Sequence, residues 1–155
     1  MDVNADLEAP VTPDRLFAWV DDLGRYPQWL DIVSRAQPVH PLADDPGPAW
    51  EVDLRGRLGR LARSKRLRMV RAELRPPVEG SAGRVRFERR ETDGRSHAPW
   101  VLTAEVSSTG DGSRLVMRLH YGGGLWGPVL ERLLGDEISK SRDRLLGCLE
   151  GEPAA

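Results

Sequence analysis

Residues 112–150 read GSRLVMRLHYGGGLWGPVLERLLGDEISKSRDRLLGCLE, and the spacing of their apolar residues changes at the central glycines. Before the glycines, every second residue from Leu115 to Tyr121 is apolar, which is typical of a β-strand with one covered face. After them, apolar residues recur on one helical face and predict a long helix from about Leu125 to Glu150. Because this strand leads directly into an amphipathic helix, the stretch predicts a helix packed across a sheet.

The residues that precede this stretch supply the other strands of that sheet. Apolar and polar residues alternate in four earlier segments: 50–54, 67–69, 85–87 and 100–106. Turn-forming residues such as Pro76-Pro77 and Asp93-Gly94 separate the segments. Successive alternating strands predict an antiparallel sheet with one wet and one covered face.

The N-terminal third predicts smaller elements. A short strand covers Asp2 to Glu8, and Thr12-Pro13-Asp14 marks the start of a helix that ends at Gly24. A second short helix is expected from Arg25 to about Val33, followed by a short strand near position 39. The order is therefore one strand, two short helices, about six strands and one long helix, which is an α+β fold.

This order and three local stretches resemble the START/Bet v 1-like (SRPBCC) superfamily and, within it, the polyketide cyclase/dehydrase and lipid-transport group. The stretches are APVTPDRLFAWVDDLGRYPQWL (residues 9–30), GSRLVMRLHYGGGL (residues 112–125) and the closing helix. The resemblance implies a helix-grip fold, in which a curved antiparallel sheet wraps around the C-terminal helix with an apolar cavity between them. Members bind lipids, sterols, quinones or polyketides, and some catalyse cyclisation or dehydration. Since no catalytic motif spans the superfamily, no catalytic residue is carried over.

Length and composition narrow the classes of protein. A chain of 155 residues is expected to form one domain, here residues 1–150 with a tail at 151–155. The net charge of −1 argues against a general nucleic-acid binder. The single cysteine, Cys148, excludes a disulfide scaffold and fits a reducing compartment. No signal peptide or transmembrane segment is expected, and the predicted location is cytoplasmic.

Apolar and aromatic residues in phase with the covered face are the candidates for ligand contact. Aromatic residues in such a position are more often core than cavity lining, but the resemblance favours the lining role for residues that face the gap between sheet and helix. The apolar ligand-binding candidates are Trp29, Trp50, Met69, Phe87, Trp100, Met117, Leu119, Leu134 and Ile138.

Polar residues in the same phase are more informative, because a buried charge needs a partner or an anionic ligand. Arg71 and Arg89 continue the covered faces of their strands, Tyr121 ends one, and Glu137 and Ser141 interrupt the apolar side of the last helix. One hypothesis is that Arg89, Tyr121 and Glu137 meet inside the cavity and orient a carbonyl or enolate. The alternative is that a β-bulge turns Arg89 outward or that the strand ends are wet.

The first functional hypothesis is a protein that binds a small, largely apolar molecule, such as a lipid, polyketide or isoprenoid, between the sheet and the last helix. The second is a cofactor-independent cyclase or dehydratase that uses Tyr121 or His97 with Arg89. No cofactor and no metal are expected. Residues 122–127 fit GxGxxG, but the βαβ unit of a dinucleotide site is missing, and the histidines have no zinc spacing.

A third hypothesis concerns a basic hairpin, residues 54–75, which carries nine arginines and lysines against one acid, Glu73. The hairpin could bind an anionic partner such as a phosphorylated ligand, an acyl-carrier protein, a membrane surface or RNA. The competing interpretation pairs these cations with acids across the sheet, among them Glu51, Asp53, Glu88 and Glu91.

Overall fold

Seven antiparallel strands, two α-helices and one 3₁₀ helix make up the fold. The computed structural model describes residues 2–58, 61–122 and 127–152. The elements are β1 (Asp2–Ala9), α1 (Pro13–Phe17), the 3₁₀ helix (Leu23–Gln28), β2 (Val33–Val39), β3 (Ala49–Leu58), β4 (Leu61–Arg75), β5 (Gly83–Arg89), β6 (Trp100–Ser108), β7 (Ser113–Tyr121) and α2 (Gly127–Glu150).

The strands form one sheet in the order β1-β7-β6-β5-β4-β3-β2, with every neighbouring pair antiparallel. β1 pairs with the last strand, so that Ala5 lies opposite Met117. β1 and β2 are therefore the two edges of the sheet. The chain crosses from one edge to the other through α1 and the 3₁₀ helix. Both short helices lie within residues 9–30, the first of the stretches that carry the family resemblance.

The two faces of the sheet differ as the alternating sequence predicts. Val85, Phe87 and Ala104 on the inner face are fully buried. On the outer face, ion pairs bridge neighbouring strands, such as Arg84 with Glu105 at 2.5 Å. The apolar inner face needs a cover, and the polar outer face meets water.

The C-terminal end of α2 is fixed to the short helical segment. The Arg15 guanidinium donates to the carbonyl of Leu149 at 3.1 Å, and the Trp19 indole N–H donates to the Glu152 carboxylate at 2.7 Å. Arg144 pairs with Asp31 nearby. These contacts hold the last turns of α2 against the segment between β1 and β2.

The helix-grip α+β fold predicted from the sequence is confirmed. Two local predictions are wrong. The first helix ends at Phe17 instead of Gly24, because the chain continues in i→i+3 turns at Trp19 and Val20. The expected second helix is a 3₁₀ helix that ends at Gln28, and Val33 already belongs to β2. The predicted first residues of α2, 125 and 126, lie outside the described residues.

A substitution at Leu145 measures how much the packing of α2 contributes to stability, because the Leu145 side chain is fully buried on this helix. We expect Leu145→Ala to lower the free energy of unfolding by about 2–5 kcal/mol, since it leaves a cavity in the core. Leu42→Ala is the matched control, because Leu42 is 49% exposed, and its change should stay within about 0.5 kcal/mol. Urea denaturation followed by tryptophan fluorescence measures both. Equal losses would contradict the packing of α2.

Candidate functional site

A small apolar cavity of about 80 Å³ lies between the β1 side of the sheet and the middle of α2. Its wall combines four parts of the chain: β1, the segment after the 3₁₀ helix, strands β6 and β7, and α2. The lining residues are Val3, Ala5, Asp6, Leu7, Trp29, Leu30, Ile32, Leu102, Leu115, Met117, Leu119, Glu137, Ser141 and Arg142. The cavity is therefore placed where a helix-grip protein would hold an apolar ligand.

The polar groups of this wall belong almost entirely to α2. The Ser141 hydroxyl donates to the backbone carbonyl of Glu137, and the Arg142 guanidinium donates to the backbone carbonyl of Asp6 at 3.0 Å. The Asp6 carboxylate pairs with Arg114 at 3.0 Å. These three side chains thus find partners within the protein.

Glu137 differs from its neighbours in the cavity wall. Its carboxylate oxygen Oε2 is buried and has no hydrogen-bond partner, while Oε1 lies 4.0 Å from the Lys140 ammonium. A buried carboxylate oxygen without a donor is costly, so this atom marks a place where a donor is missing.

The structure separates the predicted ligand-contact residues into three groups. Trp29, Met117 and Leu119 line the cavity. Five other candidates are core side chains on the inner face of the sheet, each at most 5% exposed: Trp50, Met69, Phe87, Trp100 and Tyr121. Among them, the rings of Trp50 and Phe87 are in contact, and so are those of Trp100 and Tyr121. Leu134 and Ile138 belong to α2, and their side chains lie outside the described part of the structure.

Arg89 stays in phase with the inner face, opposite Met69, and its side chain is only 10% exposed. The register shift of this strand pair falls in β4, between Arg71 and Glu73, and so does not turn Arg89 outward. The Arg89 guanidinium pairs with Glu91 at 3.0 Å, and Glu91 also accepts from the backbone N–H of Arg68. An acid two residues further along the chain therefore balances the charge of Arg89, and of Arg89, Tyr121 and Glu137 only Glu137 is among the residues that line the apolar cavity.

His97 lies beside Arg89 in the loop between β5 and β6. The second guanidinium nitrogen of Arg89 is 3.3 Å from Nδ1 of His97, and Nε2 of His97 is 2.8 Å from the Asp93 carboxylate. Since a guanidinium can only donate, Nδ1 must accept and the ring proton must sit on Nε2. Both nitrogens of the imidazole are then engaged. The hydrogen bond from His97 also lowers the pKa of Asp93.

Lys65 and Trp100 complete this end of the sheet. The Lys65 ammonium lies 5.7 Å from the centre of the Trp100 ring. Burial and the neighbouring Arg89 lower the pKa of Lys65. The Trp100 indole N–H is buried and has no hydrogen-bond partner. We call this group the cationic rim: it consists of the cations Lys65 and Arg89 with the neighbouring rings of His97 and Trp100. The Trp100 ring contacts Tyr121, which is 2% exposed.

Three arginines of the basic hairpin, Arg66, Arg68 and Arg71, have hydrogen-bond or ion-pair partners within the protein. Arg66 pairs with Glu51 at 2.9 Å and with Asp53 at 2.7 Å, both across the β3–β4 ladder. Arg68 pairs with Asp45 at 2.6 Å, and Arg71 donates to the backbone carbonyl of Asp21 at 3.0 Å. Arg60 and the side chains of Arg57 and Arg63 lie outside the described part of the structure. Among the described hairpin cations, Arg66 and Arg68 are paired with carboxylates.

Sequence reasoning missed the contribution of β1. Val3, Ala5 and Leu7 alternate visibly and were expected to form a strand, but they were not candidates for ligand contact. The signal that could have found them is the pairing of the first and last strands. This pairing places the alternating residues of β1 beside Met117 and Leu119.

Within residues 2–58, 61–122 and 127–152, no group of three or more histidine, cysteine, aspartate or glutamate side chains is arranged to hold a metal ion. Among the helices described, none is long and apolar enough to cross a membrane.

Comparisons with known proteins agree on the family and the fold. The family profile described as polyketide cyclase / dehydrase and lipid transport matches residues 1–147. No curated protein matches the chain by sequence. Solved structures with the same fold include a START superfamily protein from Mycobacterium smegmatis, which is 17% identical, with a TM-score of 0.66 over 96% of this chain and 97% of that one.

Two further solved structures are similar at lower identity. A STAR-related lipid transfer protein from Xanthomonas axonopodis is 13% identical, with a TM-score of 0.68 over 96% of this chain and 85% of that one. The Zhui aromatase/cyclase from Streptomyces sp. R1128 is 11% identical, with a TM-score of 0.66 over 97% and 93% of the two chains. At these identities the similarity establishes the fold alone.

The Asp45–Arg68 pair predicts a pH-dependent contribution to stability. The hydrogen bond from Arg68 lowers the pKa of Asp45 below its ordinary 3.8, so the folded state favours the ionised carboxylate. Stability from this source is full above the ordinary pKa and is lost as the pH falls through the lowered value. We expect Asp45→Asn to destabilise the protein between pH 7 and about pH 5, with the difference from wild type shrinking in stronger acid.

Urea unfolding at a series of pH values measures this difference. Asp44→Asn is the matched control, because Asp44 is exposed and adjacent in the chain. A constant difference across the whole pH range would show that Asp45 does not act through its charge.

Proposed function

The chain belongs to the polyketide cyclase / dehydrase and lipid transport family, and from that premise we propose that it binds a small, largely apolar molecule between the sheet and α2. The observation that carries this proposal is the apolar cavity, whose wall is formed by β1, β7 and α2. The ligand class is a lipid, polyketide or isoprenoid. Trp29, Met117 and Leu119 would contact it directly.

Burial of apolar surface would supply the affinity, at about 25 cal/mol per Å² removed from water. The wall offers branched and long aliphatic side chains, among them Leu102 and Leu115. A few polar groups would then fix the orientation of the ligand, as in most small-molecule sites.

The volume of the cavity sets a condition on binding. A cavity of about 150 Å³ is known to hold benzene, whereas this one measures about 80 Å³. Pockets for drug-sized ligands measure about 300–1,000 Å³. A lipid-sized ligand would therefore have to displace part of α2 or repack its side chains. The ligand would thus enlarge the gap between the sheet and α2.

A second candidate function is a cyclase or dehydratase acting at the cationic rim. The observation that favours it is the buried Trp100 indole N–H without a partner, beside the cations Lys65 and Arg89. A ligand carbonyl or enolate could accept from these donors. Against a role for His97 as a base, its acceptor nitrogen is occupied by Arg89. This contact makes ligand binding the better-supported function.

We expect the wild-type protein to bind 1-methoxynonane, an apolar probe without a hydrogen-bond donor, and Met117→Trp to weaken this binding at least about tenfold, because a larger side chain fills the cavity. Isothermal titration calorimetry measures the dissociation constants.

Val116→Trp is the matched control for Met117→Trp. Val116 is the preceding residue of β7 and lies on the outer face near Arg84 and Arg118, so its substitution leaves the cavity unchanged. Binding that is equally weak in both variants, or unaffected in both, would place the ligand elsewhere. Absence of binding to the wild type would refute this proposed function for aliphatic ligands.

The cyclase hypothesis predicts that the protein converts a linear poly-β-ketone thioester into a cyclised, dehydrated product. Mass spectrometry of that product measures the turnover. Tyr121→Phe and Arg89→Gln should then abolish turnover while 1-methoxynonane still binds. His120→Ala is the control, because His120 is exposed and pairs with Asp2. No product above the rate in buffer would leave binding as the function.

A further inference from the structure

Among the residues that line the cavity, one buried polar atom has no hydrogen-bond partner within the protein. Oε2 of Glu137 is buried and has no hydrogen-bond partner, although the Glu137 side chain lines the cavity. A buried carboxylate oxygen without a donor is destabilising, and such atoms are rare in folded proteins. Its place on a residue of a largely apolar wall indicates that the missing donor comes from a ligand.

The neighbouring polar side chains are engaged elsewhere and do not supply that donor. The Ser141 hydroxyl is used on the backbone carbonyl of Glu137 itself, and the Arg142 guanidinium is directed to the backbone carbonyl of Asp6. Both residues line the same cavity as Glu137. They fix the backbone and the wall around the carboxylate while leaving Oε2 unsatisfied.

The charge of Glu137 already has a counter-ion. The Lys140 ammonium lies one helical turn away, 4.0 Å from Oε1, and its side chain is 65% exposed. A second cation is therefore not needed to balance the carboxylate. What is missing at Oε2 is a hydrogen-bond donor, and a neutral hydroxyl supplies one without bringing a further charge into the apolar wall.

We propose that the ligand of this protein is an apolar alcohol whose hydroxyl donates to Oε2 of Glu137. This inference rests on the proposed binding function and specifies its ligand. It also excludes two alternatives by sign of charge, because a fatty-acid carboxylate or an enolate in the same place would face the Glu137 carboxylate. Glu137 therefore selects donors and rejects anions, which is the opposite of an oxyanion site.

Two probes of equal size separate the hydroxyl from the apolar chain. Decan-1-ol and 1-methoxynonane have the same number of carbon and oxygen atoms, but only the alcohol can donate a hydrogen bond. A hydrogen bond to a charged acceptor is strong enough that we expect wild-type protein to bind the alcohol about tenfold more tightly than the ether. Isothermal titration calorimetry at pH 7 measures both dissociation constants.

Two variants assign that preference to Glu137. Glu137→Met keeps the length of the side chain and removes the acceptor, so the ratio of the two dissociation constants should fall to about one. Binding of the ether should be retained. Asp136→Leu is the control, because Asp136 is the adjacent acid of α2 and is exposed, and it should keep the tenfold ratio.

The outcomes of these titrations are distinct. A tenfold preference that Glu137→Met abolishes supports the inference. If both probes bind the wild type equally, Oε2 is satisfied by water and the inference is wrong, although the proposed binding function stands. If neither probe binds, the proposed function itself fails for aliphatic ligands. The wild-type ratio decides even if Glu137→Met does not fold.

Discussion

The covering of the apolar inner face of the sheet by α2 is the constraint on which the rest of the structure depends. Phe87 and Val85 at the centre of that face are fully buried, and Tyr26 of the 3₁₀ helix packs edge-to-face against Phe87, so the short helices share the cover with α2, the one long helix of the described chain. Contacts from Arg15 and Trp19 hold the C-terminal end of α2 in place. The gap that remains under the middle of the helix is the cavity, so fold and site arise from one packing arrangement.

Most of the fold could be predicted because hydrophobic periodicity reports directly on burial. The change from alternating to helical spacing after Tyr121 locates the last strand and α2. The first two helices were predicted less well. Their shape depends on local hydrogen bonds, such as the one from the Gly24 N–H to the Asp22 carboxylate at 2.8 Å, which starts the 3₁₀ helix after α1 has ended. Such a contact leaves no periodic signal in the sequence.

The site was harder to predict than the fold for a related reason. Periodicity identifies the covered face of each strand, but it does not tell which part of that face meets a gap and which part meets another side chain. Phe87 and Met117 have equivalent patterns, yet Phe87 is core and Met117 lines the cavity. The departures from periodicity were more informative, since both Glu137 and Ser141 interrupt the apolar side of α2 and both line the cavity.

Apolar burial and the polar atom in the wall contribute differently to recognition. Aliphatic contacts scale with buried area and discriminate weakly between ligands of similar size. A buried acceptor discriminates strongly, because a ligand that lacks the donor leaves the acceptor unpaired in the complex. A ligand that fills the proposed site strengthens this effect, since it also excludes the water that would otherwise reach Glu137. In the proposed complex, selectivity therefore depends on Glu137, while the apolar wall supplies affinity to any apolar molecule that fits.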